Sequence, residues 1–97
     1  MAIRSPAHAA FGEAIRAARR RRSISQEALA LSSGLDRTYV SGIERGVRNP
    51  SLTNILKLAA ALQTSPSELL AGVGLFHRDP ESPDLDSPDP DSLSGLT

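Results

Sequence analysis

Ninety-seven residues, 39% hydrophobic but only 3% aromatic, provide for one domain with a small aliphatic core and exclude two. The absence of cysteine excludes a disulfide framework and a thiolate metal site. A formal charge of zero divides into a body, residues 1–76, with ten Lys/Arg against five Asp/Glu, and a tail, residues 77–97, with one Arg against six acids, so the body points to a polyanionic partner.

Ser5-Pro6 predicts a helix start, an N-cap followed by proline at the first helical position. Phe11, Ile15, Ala18 and Arg22 then keep helical spacing, with Gly12 the one poor helix former inside. Arg19-Arg20-Arg21-Arg22 closes this first helix and sets cations at the negative end of its dipole. Two uses remain open for that run: plain capping and solubility, or contact with phosphate by some of its members. Ser25 caps a short second helix, Gln26 to Ser32, with Leu29 and Ala30 facing inward. Gly34 supplies a sharp turn. Asp36 caps a third helix that runs to about Arg45, with Gly46 placed to end it. Asn49-Pro50 breaks the chain and Ser51 caps a fourth helix, whose apolar stripe is Leu52, Ile55, Leu56, Ala59 and Leu62. Ser65-Pro66-Ser67-Glu68 reads as a capping box for a fifth helix, which carries Leu69 and Leu70 and ends by Gly72.

Beyond Phe76 the chain changes character. Four prolines, six acids and scattered serines bury too little apolar surface to offset the entropy of ordering, so residues 77–97 read as a disordered acidic tail. The expected fold is therefore all-α, a compact five-helix domain over residues 1–76. Its N-terminus lacks the apolar run of a signal peptide, and Ile55 to Leu62 is short and carries Lys57, so the expectation is a cytoplasmic protein with no membrane span. His8 and His77 have no ligand-spaced partners, and no metal or cofactor is expected. Glu27, Asp36, Glu44 and Glu68 form no pair around a cleft, so an enzyme is not expected.

The third helix poses the functional question. Thr38-Tyr39-Val40-Ser41-Gly42-Ile43 is a run of poor helix formers, so packing and not propensity must hold it. At about 100° per residue, Arg37, Thr38, Ser41, Gly42 and Arg45 share one face, while Tyr39, Val40, Ile43 and Glu44 occupy the other. A solvated face usually takes Glu, Lys, Gln and Ala. Small polar residues with arginine at each end suit insertion into a concave polyanion instead. Arg37, near the N-terminal end, can pair with guanine O6 and N7 in a DNA major groove, and Thr38 can read a neighbouring base. Small side chains at Ser41 and Gly42 allow close approach of the helix. Arg45, Arg48 and Asn49 are placed to hold the phosphate backbone, and Tyr39 packs inward with its hydroxyl at the phosphate rim.

The stretch SQEALALSSGLDRTYVSGIERG resembles the helix-turn-helix of the Cro/Xre phage-repressor-like family, and LDRTYVSGIERG in particular is similar to the controller proteins of restriction–modification systems. Gln26 opens the first helix of the motif, Ala30 is the small residue where the two helices cross, Gly34 makes the turn, and Leu35, Val40 and Ile43 are its aliphatics. The resemblance extends from about Phe11 to Leu70. It implies a λ-repressor-like fold, bases faced by Arg37, Thr38, Ser41 and Gly42, and a DNA-backbone contact from Gln26. It also implies a structural salt bridge between Arg19 and Glu44. Relatives often carry a longer side chain at the position of Gly42, which leaves Arg37 and Thr38 as the main readers.

The expected function is a sequence-specific double-stranded DNA-binding transcriptional regulator acting as a homodimer on a (pseudo)palindromic operator. Apolar residues of the fourth and fifth helices outside the core, with Val73, Leu75 and Phe76, either form the dimer patch or complete the monomer core. The competing reading is an antitoxin or other interaction module whose acidic tail binds a partner protein; a third use of the same tail is intramolecular, its six acids competing with phosphate for the basic face.

Overall fold

Serine hydroxyls begin four of the helices. In the computed structural model, which describes residues 5–76, Ser5, Ser25, Ser51 and Ser65 each accept a hydrogen bond at 3.0–3.1 Å from the backbone N–H three residues on, those of His8, Ala28, Asn54 and Glu68. Asp36 does the same work through the N–H of Thr38 at 2.9 Å. From these caps run α1 (Pro6–Arg21), α2 (Gln26–Ser33), α3 (Arg37–Glu44), α4 (Leu52–Leu62) and α5 (Pro66–Leu70). No strand occurs among the described residues. Arg22 and Arg45, expected inside their helices, are the C-caps of α1 and α3. The fifth helix stops at Leu70, before Gly72 as expected, and a one-turn helix that was not expected, α6 (Val73–Phe76), follows it. The acidic tail and the side chains of Leu75 and Phe76 lie outside the described residues.

The core is aliphatic apart from Phe11. Phe11, Ile15 and Ala18 of α1, Leu29 and Ala30 of α2, Val40 and Ile43 of α3, Leu58, Ala59 and Leu62 of α4, and Leu69 of α5 form one buried cluster. Helix α1 lies against α3, α5 and α6, while α2 lies against α3 and α4. Val73 packs against the cluster, so it belongs at least in part to the monomer core.

Helix α4 corrects the stripe expected for it. Leu52 and Leu56 are 69% and 49% exposed, whereas Leu58, absent from that stripe, is fully buried. Ile55, Leu58, Ala59 and Leu62 fall within a narrow arc at helical pitch and face the core, with Leu52 and Leu56 at its edge. The segment is apolar nearly all round from Ile55 to Leu62, so its periodicity alone does not select one phase.

Two helix exits use a left-handed residue that is not glycine. Ser23 has φ 56° and Gln63 φ 55°, and the Arg22 guanidinium donates to the Gln63 side-chain oxygen at 3.1 Å, joining the two turns. No helix among the described residues is long and apolar enough to cross a membrane.

Candidate nucleic-acid interface

The turn between α2 and α3 fixes where α3 points. Gly34 takes φ 76°, ψ 17°, and its N–H and that of Leu35 both return to the Ala30 carbonyl, at 2.9 and 3.1 Å. A side chain there would meet open space, so it is the backbone angle and not crowding that asks for glycine. Asp36 then starts α3 in a new direction, with Ala30 buried where the two helices cross.

Helix α3 is anchored along one side and open along the other. Val40 and Ile43 enter the core. Arg37, Thr38 and Arg45 are exposed, and Ser41 is half-buried beside them. Arg48 and Asn49, just past the helix, are exposed as well. Gly42 is placed differently from its expected position on the open face. It is buried, because the stem of Arg48 folds back across it. On the helical wheel Gly42 sits at the margin of the open arc, next to Tyr39, and the chain leaving the helix closes over that margin.

Tyr39 is half-buried against the core. Its hydroxyl accepts from the Asn54 side-chain amide at 3.0 Å, and the Arg48 guanidinium carbon stands 6.0 Å from its ring centroid. The tyrosine therefore joins α3 to the first turn of α4.

Behind the open face lies a buried charge. Glu44 is 1% exposed, and the structure brings Arg19 onto it in a two-pronged contact, Nε to Oε2 at 2.6 Å and Nη2 to Oε1 at 3.0 Å. Arg19 also donates from Nη1 to the carbonyl of Ile24 at 2.9 Å. Two further donors reach Oε1: the Gln26 amide at 3.0 Å and Arg16 Nε at 3.4 Å. Burial on its own pushes the Glu44 carboxyl up, but the hydrogen bonds from Arg19 and Gln26, the Arg19 charge and the bond from Arg16 outweigh it. The carboxyl ends below its usual range. The hydrogen bond to Glu44 and its charge raise Arg19 against the opposing effect of burial. Every buried side-chain polar atom among the described residues has a partner.

The family resemblance pairs Arg19 with Glu44 without Arg16, and gives Gln26 only a contact with the DNA backbone. Arg16 precedes Arg19 by one turn on the same face of α1, a signal that spacing does carry. The bond from Gln26 to Glu44 depends on how α2 crosses α3, which spacing does not carry. Within the basic run, Arg19 serves the buried glutamate and Arg22 binds Gln63. Arg20 and Arg21 are exposed. No group of three or more His, Cys, Asp or Glu among the described residues is arranged to hold a metal ion.

The chain matches the helix-turn-helix family profile over residues 15–69. It is 51% identical over 61 residues to the control protein C.BamHI of Bacillus amyloliquefaciens, a match covering 62% of this chain and 75% of that protein. The restriction-modification controller protein C.AhdI from Aeromonas hydrophila superposes with a TM-score of 0.63 at 56% identity, covering 64% of this chain and 94% of that one. The P22 c2 repressor protein, in a crystal structure with a synthetic operator, superposes with a TM-score of 0.60 at 42% identity, again over 64% of this chain and 94% of that one.

Proposed function

The chain belongs to the Cro/Xre-type helix-turn-helix family of DNA-binding transcription regulators, and from that premise we propose that it reads a (pseudo)palindromic operator as a homodimer, with α3 in the major groove. One observation supports this above the rest. The open arc of exposed Arg37 and Thr38 with half-buried Ser41 is carried on a helix whose other side is fixed by the core and by the Glu44 cluster. Such a helix presents polar groups at a defined angle while losing little order on binding. Arg37 is the direct reader, Thr38 its neighbour, and Arg45, Arg48 and Asn49 meet phosphates at the far end. Gln26, at the first position of α2, uses one amide hydrogen on Glu44, which leaves the other to donate to the DNA backbone. The P22 c2 repressor, crystallised with a synthetic operator, supports DNA as the partner.

Selection of bound fragments from a random oligonucleotide pool tests the reading, since two inverted half-sites about 34 Å apart are expected from a two-fold dimer. Against the selected duplex, Arg37→Ala should cost on the order of 1–3 kcal/mol and relax preference at one base pair of each half-site. Unchanged affinity and base preference would remove Arg37 from direct readout.

The second copy is proposed to join through α4 and α5, where Leu52, Leu56 and Leu70 stay exposed in the monomer. Leu56→Glu is expected to convert a dimer to a monomer in sedimentation equilibrium and to weaken operator binding, while the monomer fold persists because Leu56 lies outside the core. A dimer of unchanged mass and affinity would place the joint elsewhere.

A further inference from the structure

We propose that Gly42 is a positioning residue for Arg48, a notch in α3 that aims the arginine at the DNA backbone. The inference rests on the reading that Arg48 contacts phosphate, and it adds what holds the side chain there. The end of α3 reverses the chain with two bonds: Gly46 N–H to the Ile43 carbonyl and Val47 N–H to the Gly42 carbonyl, both at 3.0 Å, with Gly46 at φ 77°. That reversal returns Arg48 over the last turn of the helix. Its stem lies where a side chain on residue 42 would stand. A Cβ on Gly42 would fall 2.7 Å from Arg48 Cγ and 3.2 Å from Nε, well inside the roughly 3.5–4.0 Å at which carbon atoms meet without repulsion. The ring of Tyr39 forms the wall of the notch, held in turn by Asn54.

An exposed arginine has many rotamers to lose on binding. Laid in this notch, Arg48 has fewer, and its guanidinium stays at the edge of the open face. The atoms that a new methyl would strike belong to a mobile side chain and not to backbone. Substitution should therefore spare the fold and displace the arginine.

The test uses the full chain, a mixed-sequence DNA duplex and the duplex selected from the random pool. Alanine suits a helix better than glycine, so Gly42→Ala is expected to unfold at or above the wild-type temperature. It is expected to bind both duplexes on the order of tenfold more weakly at fixed salt, the worth of one charge-assisted contact. Its plot of log affinity against log salt should be shallower by about 0.9, the signature of one lost phosphate. Arg48→Ala should do the same, and the double variant should bind no more weakly than Arg48→Ala alone. The proposal is overturned by wild-type affinity in Gly42→Ala, or by an equal loss from Gly42→Ala in the Arg48→Ala background, which would mean that the methyl strikes the duplex directly. Should Arg48→Ala itself leave affinity and salt slope unchanged, the phosphate contact is wrong and the notch has no function in binding. The Arg37 base preference is a separate readout that tells this apart from failure of DNA reading altogether.

Discussion

Glu44→Ala is expected to destabilise the domain by about 3 kcal/mol, a large share of the roughly 5–15 kcal/mol that holds a small protein folded. Removing the carboxylate strands Arg19, whose side chain is 14% exposed and keeps only its bond to the Ile24 carbonyl. Arg16 and Gln26 lose their shared acceptor at the same time. The figure sits at the low end for a broken buried pair because both arginines retain some water, Arg16 at 29% exposed. Urea unfolding measures it, and an effect under 1 kcal/mol would show the cluster to be dispensable. The pH dependence follows from the same carboxyl. Its folded value lies below the ordinary 4.5, so the unfolded chain takes up the proton first as pH falls. The contribution of Glu44 is complete above that value and is lost as the pH drops below 4.5 and through the folded value. Glu44→Gln keeps the shape without the titration. Its stability should therefore vary less with pH than that of the wild type in that acid window, and parallel acid limbs for the two proteins would exclude the linkage.

Gly12→Ala should be nearly as damaging, by about 2–3 kcal/mol in the same measurement, although helix propensity alone favours alanine by about 0.5–1 kcal/mol. A Cβ on Gly12 would lie 2.6 Å from the Glu44 carbonyl oxygen and closer still to that of Ile43. Both are backbone atoms at the end of α3, and neither can rotate away. Helix α1 would have to lift from α3, drawing Arg16 and Arg19 from Glu44. The two losses therefore overlap, and a Gly12→Ala, Glu44→Ala double variant should cost less than the sum. A Gly12→Ala protein as stable as wild type would mean that the crossing has slack. The contrast with Gly42 lies in what a methyl meets: an end of backbone at one site, a swinging stem at the other.

These two positions show what was legible in the chain and what was not. Helix starts were, because a serine and the N–H three residues on are neighbours in sequence, and the turn at Gly34 is equally local. Glu44 could be paired with Arg19 only through the family resemblance. Gly12 looked like a weak point in a helix, since the carbonyls that require it come from residues more than 30 positions later. The phase of α4 was hidden because its apolar residues nearly encircle the helix, and only the core's shape selects Leu58 over Leu52 and Leu56. Gly42 read as a bare patch of α3, since nothing in the spacing shows that Arg48 returns to cover it. Tyr39 was placed inward by the wheel, yet its partner Asn54 belongs to another helix.

That tyrosine bond has a mechanical consequence. It ties α3 to the helix proposed to join two copies, while the glutamate cluster ties the same rod to α1. In such an assembly the protein behaves as a fixed caliper whose jaws cannot slide. Any mismatch between its gap and an operator's helical repeat must be absorbed by twisting or bending the duplex, so the untouched central base pairs would be chosen for their pliancy.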